Sequence, residues 1–155
     1  MHYLAFLSLN QPISFHIFAL MKSKEHEIVI LFDGFCGLCN STVDWLIKKD
    51  HNSILRYSPL QGKLAKDIGC HIENISHPDS IIIFLNGKLF DKSTAAFLIA
   101  KKLPFPWKLL YAFIIIPAGF RNLIYDFIAS NRYKWFGKSK TCRVPSPKEK
   151  NLFID

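Results

Sequence analysis

The stretch from Glu27 to Asn40 constrains the fold more than any other part of the chain. Glu27 to Phe32 reads Glu-Ile-Val-Ile-Leu-Phe, a continuous β-branched and aromatic run that predicts a strand buried on both faces. Asp33-Gly34 ends it. From Gly37 the apolar period changes, with Val43, Leu46 and Ile47 at helical spacing and Lys48 and Lys49 in a last turn whose dipole favours cations. Cys36 and Cys39 therefore lie where a buried strand gives way to a helix.

That position matters because the thiolate, not the thiol, attacks a disulfide, and a free cysteine with a pKa of about 8.5 is mostly protonated at neutral pH. Unpaired N–H groups and the positive end of the dipole at a helix start stabilise an anion, lowering such cysteines to roughly 3.5 to 7.5. Spacing of three within the first turn sets the second sulfur beside the first, within bridging reach. The expected chemistry is dithiol–disulfide exchange. Cys36, nearer the loop, is expected to be exposed and to attack, and Cys39, one turn inside, to resolve the mixed disulfide. Asp33 either passes the proton of Cys39 through water or receives turn N–H groups. Gly34 is expected to supply a positive φ to the turn.

A single Cys-x-x-Cys is also half a tetrahedral zinc site, which Cys70-His71 or Cys142 would have to complete. Cys70 and His71 are adjacent rather than spaced, and the sequence has no second Cys-x-x-Cys or His-x-x-x-His, so no metal or organic cofactor is expected. Cys142 lies in Lys-Thr-Cys-Arg, where cations favour a thiolate; it reads equally as a third redox thiol or a small buried apolar group. Four cysteines in 155 residues are too sparse for a disulfide-stapled secreted scaffold.

Beyond the pair, Ser53 to Tyr57 predicts a second strand, followed by a short helix from Gln61 to Ile68 that ends at Gly69. Ser80 to Leu85 and Lys88 to Phe90 flank Asn86-Gly87, the strongest short hairpin signal available. Ser93-Thr94 is read as the cap of a helix through Lys102. Pro104 and Pro106 break it, and Trp107 to Ile116 is expected as a further apolar helix of core or helix–helix contact. Phe120, Leu123, Ile124, Phe127 and Ile128 then form one apolar stripe at i, i+3, i+4, i+7 and i+8. The expected fold class is α/β, a central mixed sheet flanked by helices with additional C-terminal helices, in one domain over 27–145. Residues 1–26 are read as a dispensable extension, with Met21 as a second candidate start, and 146–155 as a loose tail.

The charge of +8 is uneven: between Lys92 and Arg143 the chain carries ten lysines or arginines and a single acid, Asp126. The ordinary outcome is a solvated face; a membrane surface is kept as a partner, and nucleic acid is disfavoured. Arg132-Tyr133-Lys134-Trp135 mixes cations and aromatics as stacking surfaces and interfacial belts do. The competing reading is a basic binding module for membrane, protein or nucleic acid, with the cysteines as a redox sensor or zinc clip. Tyr3 to Leu20 is apolar but broken by Asn10-Gln11-Pro12 and preceded by no basic residue, a poor secretion signal. Cytoplasmic residence is expected, with secretion or membrane association through residues 1–20 as the competitor.

Asp33-Gly34-Phe35-Cys36-Gly37-Leu38-Cys39-Asn40 resembles the signature of the DCC family of thiol-disulfide oxidoreductases. Ser58-Pro59-Leu60, Asp79-Ser80, and Asn131-Arg132-Tyr133-Lys134-Trp135-Phe136-Gly137 followed by Cys142 are similar to the family's pattern in the same order, over about residues 28–145. The resemblance implies a thioredoxin-like fold and redox exchange with a disulfide-containing protein or small thiol. It adds Gly34, Cys142, Arg132, Tyr133 and Trp135 to the candidate site around Cys36, Cys39 and Asp33. Gly-Leu stands between the cysteines where thioredoxin has Gly-Pro, and Pro78 is separated from Ile81 by Asp79-Ser80 where thioredoxins set a cis-proline directly before the strand.

Overall fold

The computed structural model describes residues 28–66 and 81–154. The expectations for residues 1–26, Met21, Cys70-His71, Pro78 to Ser80 and the end of the helix through Ile68 lie outside the described residues.

Strand β1 (Ile28–Phe32) is the spine: every residue in it is buried, as its unbroken apolar run requires. Its side chains alternate between two cores. Ile28, Ile30 and Phe32 face Val43 and Leu46 of helix α1 (Gly37–Lys49) and Ile99 of helix α2 (Lys92–Lys102). Val29 and Leu31 face Leu64 and Ala65, in a helical turn at 63–66, on the other side. Strand β2 (Leu55–Pro59) pairs with β1 in parallel, two residues later than the sequence suggests, because Asp50 Oδ2 accepts the Leu55 N–H at 2.7 Å and the chain between them is turn. Strands β3 (Ile82–Leu85) and β4 (Lys88–Asp91) form the expected hairpin, with Asn86 and Gly87 at φ 51° and 77° as a two-residue turn of this kind demands. Strand β3 runs antiparallel to β1, giving the order β2-β1-β3-β4. This is an α/β architecture of thioredoxin-like type.

Three local expectations are corrected. Asp91, not Ser93-Thr94, occupies the N-cap of α2, and Ser93 instead donates to Asn122 Oδ1. Trp107–Ile115 is a 3-10 helix with no buried residue; it leans on the body through Trp107, whose ring meets Trp45 edge-on at 4.7 Å, and through Phe113 against Phe97. The last residues are not loose. Phe153 bridges to Tyr57 on the free edge of β2, Ile154 N–H donates to Tyr57 O at 2.9 Å, and the Phe153 ring packs on Phe32 and Tyr57. That covers an edge strand that would otherwise present unpaired backbone. Helix α3 (Ala118–Phe136) crosses back to the cysteine-bearing turn, and a short 3-10 turn (Lys150–Leu152) ends the element order.

Candidate active site

In a parallel strand pair the C-terminal ends lie side by side, so the residues after β1 must meet those after β2. This brings Gln61 to the turn at residues 33–36. Gln61 Nε2 donates to Asp33 Oδ1 at 3.1 Å, and its Oε1 accepts the Gly34 N–H at 3.2 Å. Asp33 Oδ1 also accepts Phe35 N–H at 3.0 Å, closing a local side-chain turn, and Asn40 reaches back from α1 to donate to Gly34 O at 3.0 Å. Sequence reasoning missed Gln61. The signal for it was the parallel topology and its position just past Ser58-Pro59-Leu60.

The other side of Asp33 belongs to α3. Tyr133 donates its hydroxyl to Asp33 Oδ2, and the Arg132 guanidinium stands 3.5 Å from the same oxygen, with both charged side chains only 6 % exposed. Both carboxylate oxygens are thus supplied with donors, the condition under which a charge can stay buried. Burial pushes the Tyr133 hydroxyl above its ordinary pKa, and the hydrogen bond to Asp33 adds to the rise, so Tyr133 remains a donor.

Cys36 is the N-cap of α1, in extended conformation, and its sulfur accepts the Cys39 N–H at 3.4 Å. Cys39, half-buried one turn on, is pushed up to about 12 by burial first, then by its hydrogen bond to Cys36 and the Cys36 charge; Arg132 opposes the rise and Asp33 adds to it. All three described cysteines are free thiols. The expectation that Cys36 is the exposed member is corrected: it is fully buried, while Cys39 is partly open. The cause is the segment after α3. Lys138 pairs with Cys36 as an isolated antiparallel bridge, Ser139 N–H donates to Phe35 O at 2.8 Å, and Gly37 N–H donates to Gly137 O at 3.3 Å. A shallow depression over this strap is lined by Phe35, Lys138, Ser139 and Lys140.

The glycines of the turn serve close approach. Gly34 does not take a positive φ; a Cβ there would overlap the Cys142 sulfur. One at Gly37 would overlap the Phe136 carbonyl oxygen. Cys142 therefore lies against the turn, with its thiol 3.9 Å from Gln61 Oε1. Gly34, Cys142, Arg132 and Tyr133 gather around Asp33 and the cysteine turn, whereas Trp135 points away, 55 % exposed against Phe127. Among the described residues no three His, Cys, Asp or Glu side chains come together as a metal site would need.

The family model for DCC1-like thiol-disulfide oxidoreductases matches residues 30–138. The uncharacterised protein YuxK of Bacillus subtilis (strain 168) is 39 % identical over 130 residues, covering 81 % of this chain and 93 % of that protein. A chloroplastic DCC family protein of Arabidopsis thaliana is 32 % identical over 126 residues, covering 78 % of this chain and 72 % of its own. No solved structure matches the chain. The match runs from Ile30 within β1 through α3 to Lys138 in the strap over Cys36, and on that ground the chain belongs to the DCC1-like thiol-disulfide oxidoreductase family.

Proposed function

We propose that the protein exchanges a Cys36–Cys39 dithiol or disulfide with disulfides of proteins or small thiols. In the reducing direction the Cys36 thiolate attacks one sulfur of a substrate disulfide. A Cys36–substrate bond forms, the substrate S–S bond breaks, and one substrate thiol leaves. Cys39 gives up its proton toward Asp33 through water and attacks the Cys36 sulfur, releasing the second thiol. The substrate gains two electrons and two protons, and the chain is left as the Cys36–Cys39 disulfide. The oxidising direction is the reverse.

The observation that carries this reading is the asymmetry of the pair. Cys36 caps a helix and accepts the Cys39 N–H, while Cys39 is held protonated by a pKa pushed up to about 12. One sulfur is prepared as a nucleophile and the other waits as a thiol. Because Cys36 is buried under Lys138 and Ser139, reaction requires the strap at 137–140 to lift from the turn, and Arg132 and Tyr133 act as positioning residues for Asp33. A reducing cytoplasm is the proposed setting, since sparse, closely paired cysteines suit redox work there better than structural bridging.

The test is turnover of a small aromatic disulfide with a dithiol as electron donor. Cys36→Ser is expected to abolish turnover, and Cys39→Ser to stop after one equivalent with a trapped mixed disulfide on Cys36. Turnover retained by Cys36→Ser overturns the assignment.

A further inference from the structure

Helix α3 is inside out for a helix of a soluble domain, which ordinarily turns its apolar stripe to the core. It is fastened to the body by polar groups. Asn122 accepts from Ser93, the Tyr125 oxygen accepts Ile81 N–H at 3.0 Å, Asp126 pairs with Lys92 at 3.0 Å, and Arg132 and Tyr133 hold Asp33. Its apolar stripe points the other way: Phe120, Leu123, Ile124 and Phe127 are 61 %, 69 %, 54 % and 63 % exposed. The 3-10 segment ahead of it adds Phe113 and Ile115 at 51 % and 85 %. Single apolar side chains on a surface are ordinary, but a stripe of this extent marks a covered face.

Charge identifies what covers it. The exposed cations Lys101, Lys102, Lys108 and Lys134 lie on the elements that carry or flank the stripe, and the single acid between Lys92 and Arg143, Asp126, is engaged by Lys92. A second copy docked face to face would set these cations against their own counterparts on a chain of net charge +8. An anionic lipid surface matches them, and an apolar stripe bordered by lysines is the pattern of a helix lying in a membrane interface. No helix among the described residues is long and apolar enough to cross a membrane, so the geometry is that of a face laid on a bilayer. We propose that the outer face of α3, with the 3-10 segment before it, docks the protein onto an anionic lipid surface. The inference stands on exposure and charge and is independent of the redox reading.

The test is co-sedimentation of the full chain with phosphatidylcholine vesicles and with equimolar phosphatidylcholine–phosphatidylglycerol vesicles. Binding is expected to the mixed vesicles, to weaken as salt rises, and to fall on the order of 100-fold in Leu123→Asp/Phe127→Asp, which removes two interfacial apolar side chains. Both positions are exposed, so the thermal midpoint of the variant should match that of the parent. Lys101→Glu/Lys102→Glu keeps the stripe and should still lose affinity for the mixed vesicles. Three results overturn the proposal: no binding to the mixed vesicles; binding unchanged by the stripe substitutions; or a lipid-free dimer that Leu123→Asp/Phe127→Asp dissolves, which would make a second copy the occupant.

Discussion

Asp33 is tolerated as a buried charge because a backbone N–H, a glutamine amide, a tyrosine hydroxyl and a guanidinium are all turned toward it. Hydrogen bonds to a charged group contribute about 1.5–3 kcal/mol each, so Tyr133→Phe should lower stability by about 2 kcal/mol in chemical denaturation. Asp33→Asn separates the two roles. If Asp33 takes the Cys39 proton, this variant should form the Cys36 mixed disulfide at the parental rate and resolve it at least about tenfold more slowly; equal slowing of both steps would assign Asp33 to positioning the turn. Cys39 carries a pH signature of its own. With a pKa pushed up to about 12, its thiolate fraction rises about tenfold per pH unit from neutrality upward, and its alkylation in the reduced protein should follow; a plateau near pH 8 would contradict the assignment. The cysteines and Asp33 were legible in the sequence because their relations are local. Gln61 reaches Asp33 from 28 residues away and only topology brings it there, whereas Tyr133, 100 residues away, was marked by the family resemblance and not by any local spacing.

At the scale of elements, periodicity identified β1, α1 and α3 as strand and helices but not which way α3 faces. The stripe from Phe120 to Ile128 correctly marks a helix, yet a 3.6-residue period reports one apolar face and is silent on what meets it. The contacts that turn α3 over are polar and long-range, from Ser93, Lys92 and Asp33, so nothing within the helix announces them. Strand β1 was the opposite case: an unbroken apolar run has no polar face to misplace. The C-terminal residues looked loose because polar and proline residues precede them, but Arg143 pairs with Asp44 at 2.7 Å and with Glu149, and this anchors the path that lays Phe153 on Tyr57. Phe153→Ala should therefore destabilise the whole domain, by about 1–2 kcal/mol given its partial burial, rather than fray one end. Unchanged denaturant midpoints would show the tail to be dispensable.

Across the whole molecule, sheet order and site are one consequence of the same topology. Flanking β1 with a parallel β2 and an antiparallel β3 puts the turn after β1 at an open end of the sheet, where residues from after β2, from α3 and from the following strap converge on it. The basic, apolar outer surface lies on elements from α2 onward, so one helix carries the residues that hold Asp33 on its inner side and the exposed apolar stripe on its outer side. If Cys36 and Cys39 form a reversible dithiol, intact mass with site-resolved thiol labelling after equilibration in a series of glutathione buffers reads it directly. The expected result is a single two-electron transition, a loss of two hydrogens confined to Cys36 and Cys39, absent in Cys36→Ser. Thiols that stay free across the series, or a disulfide that forms instead through Cys142, would contradict it.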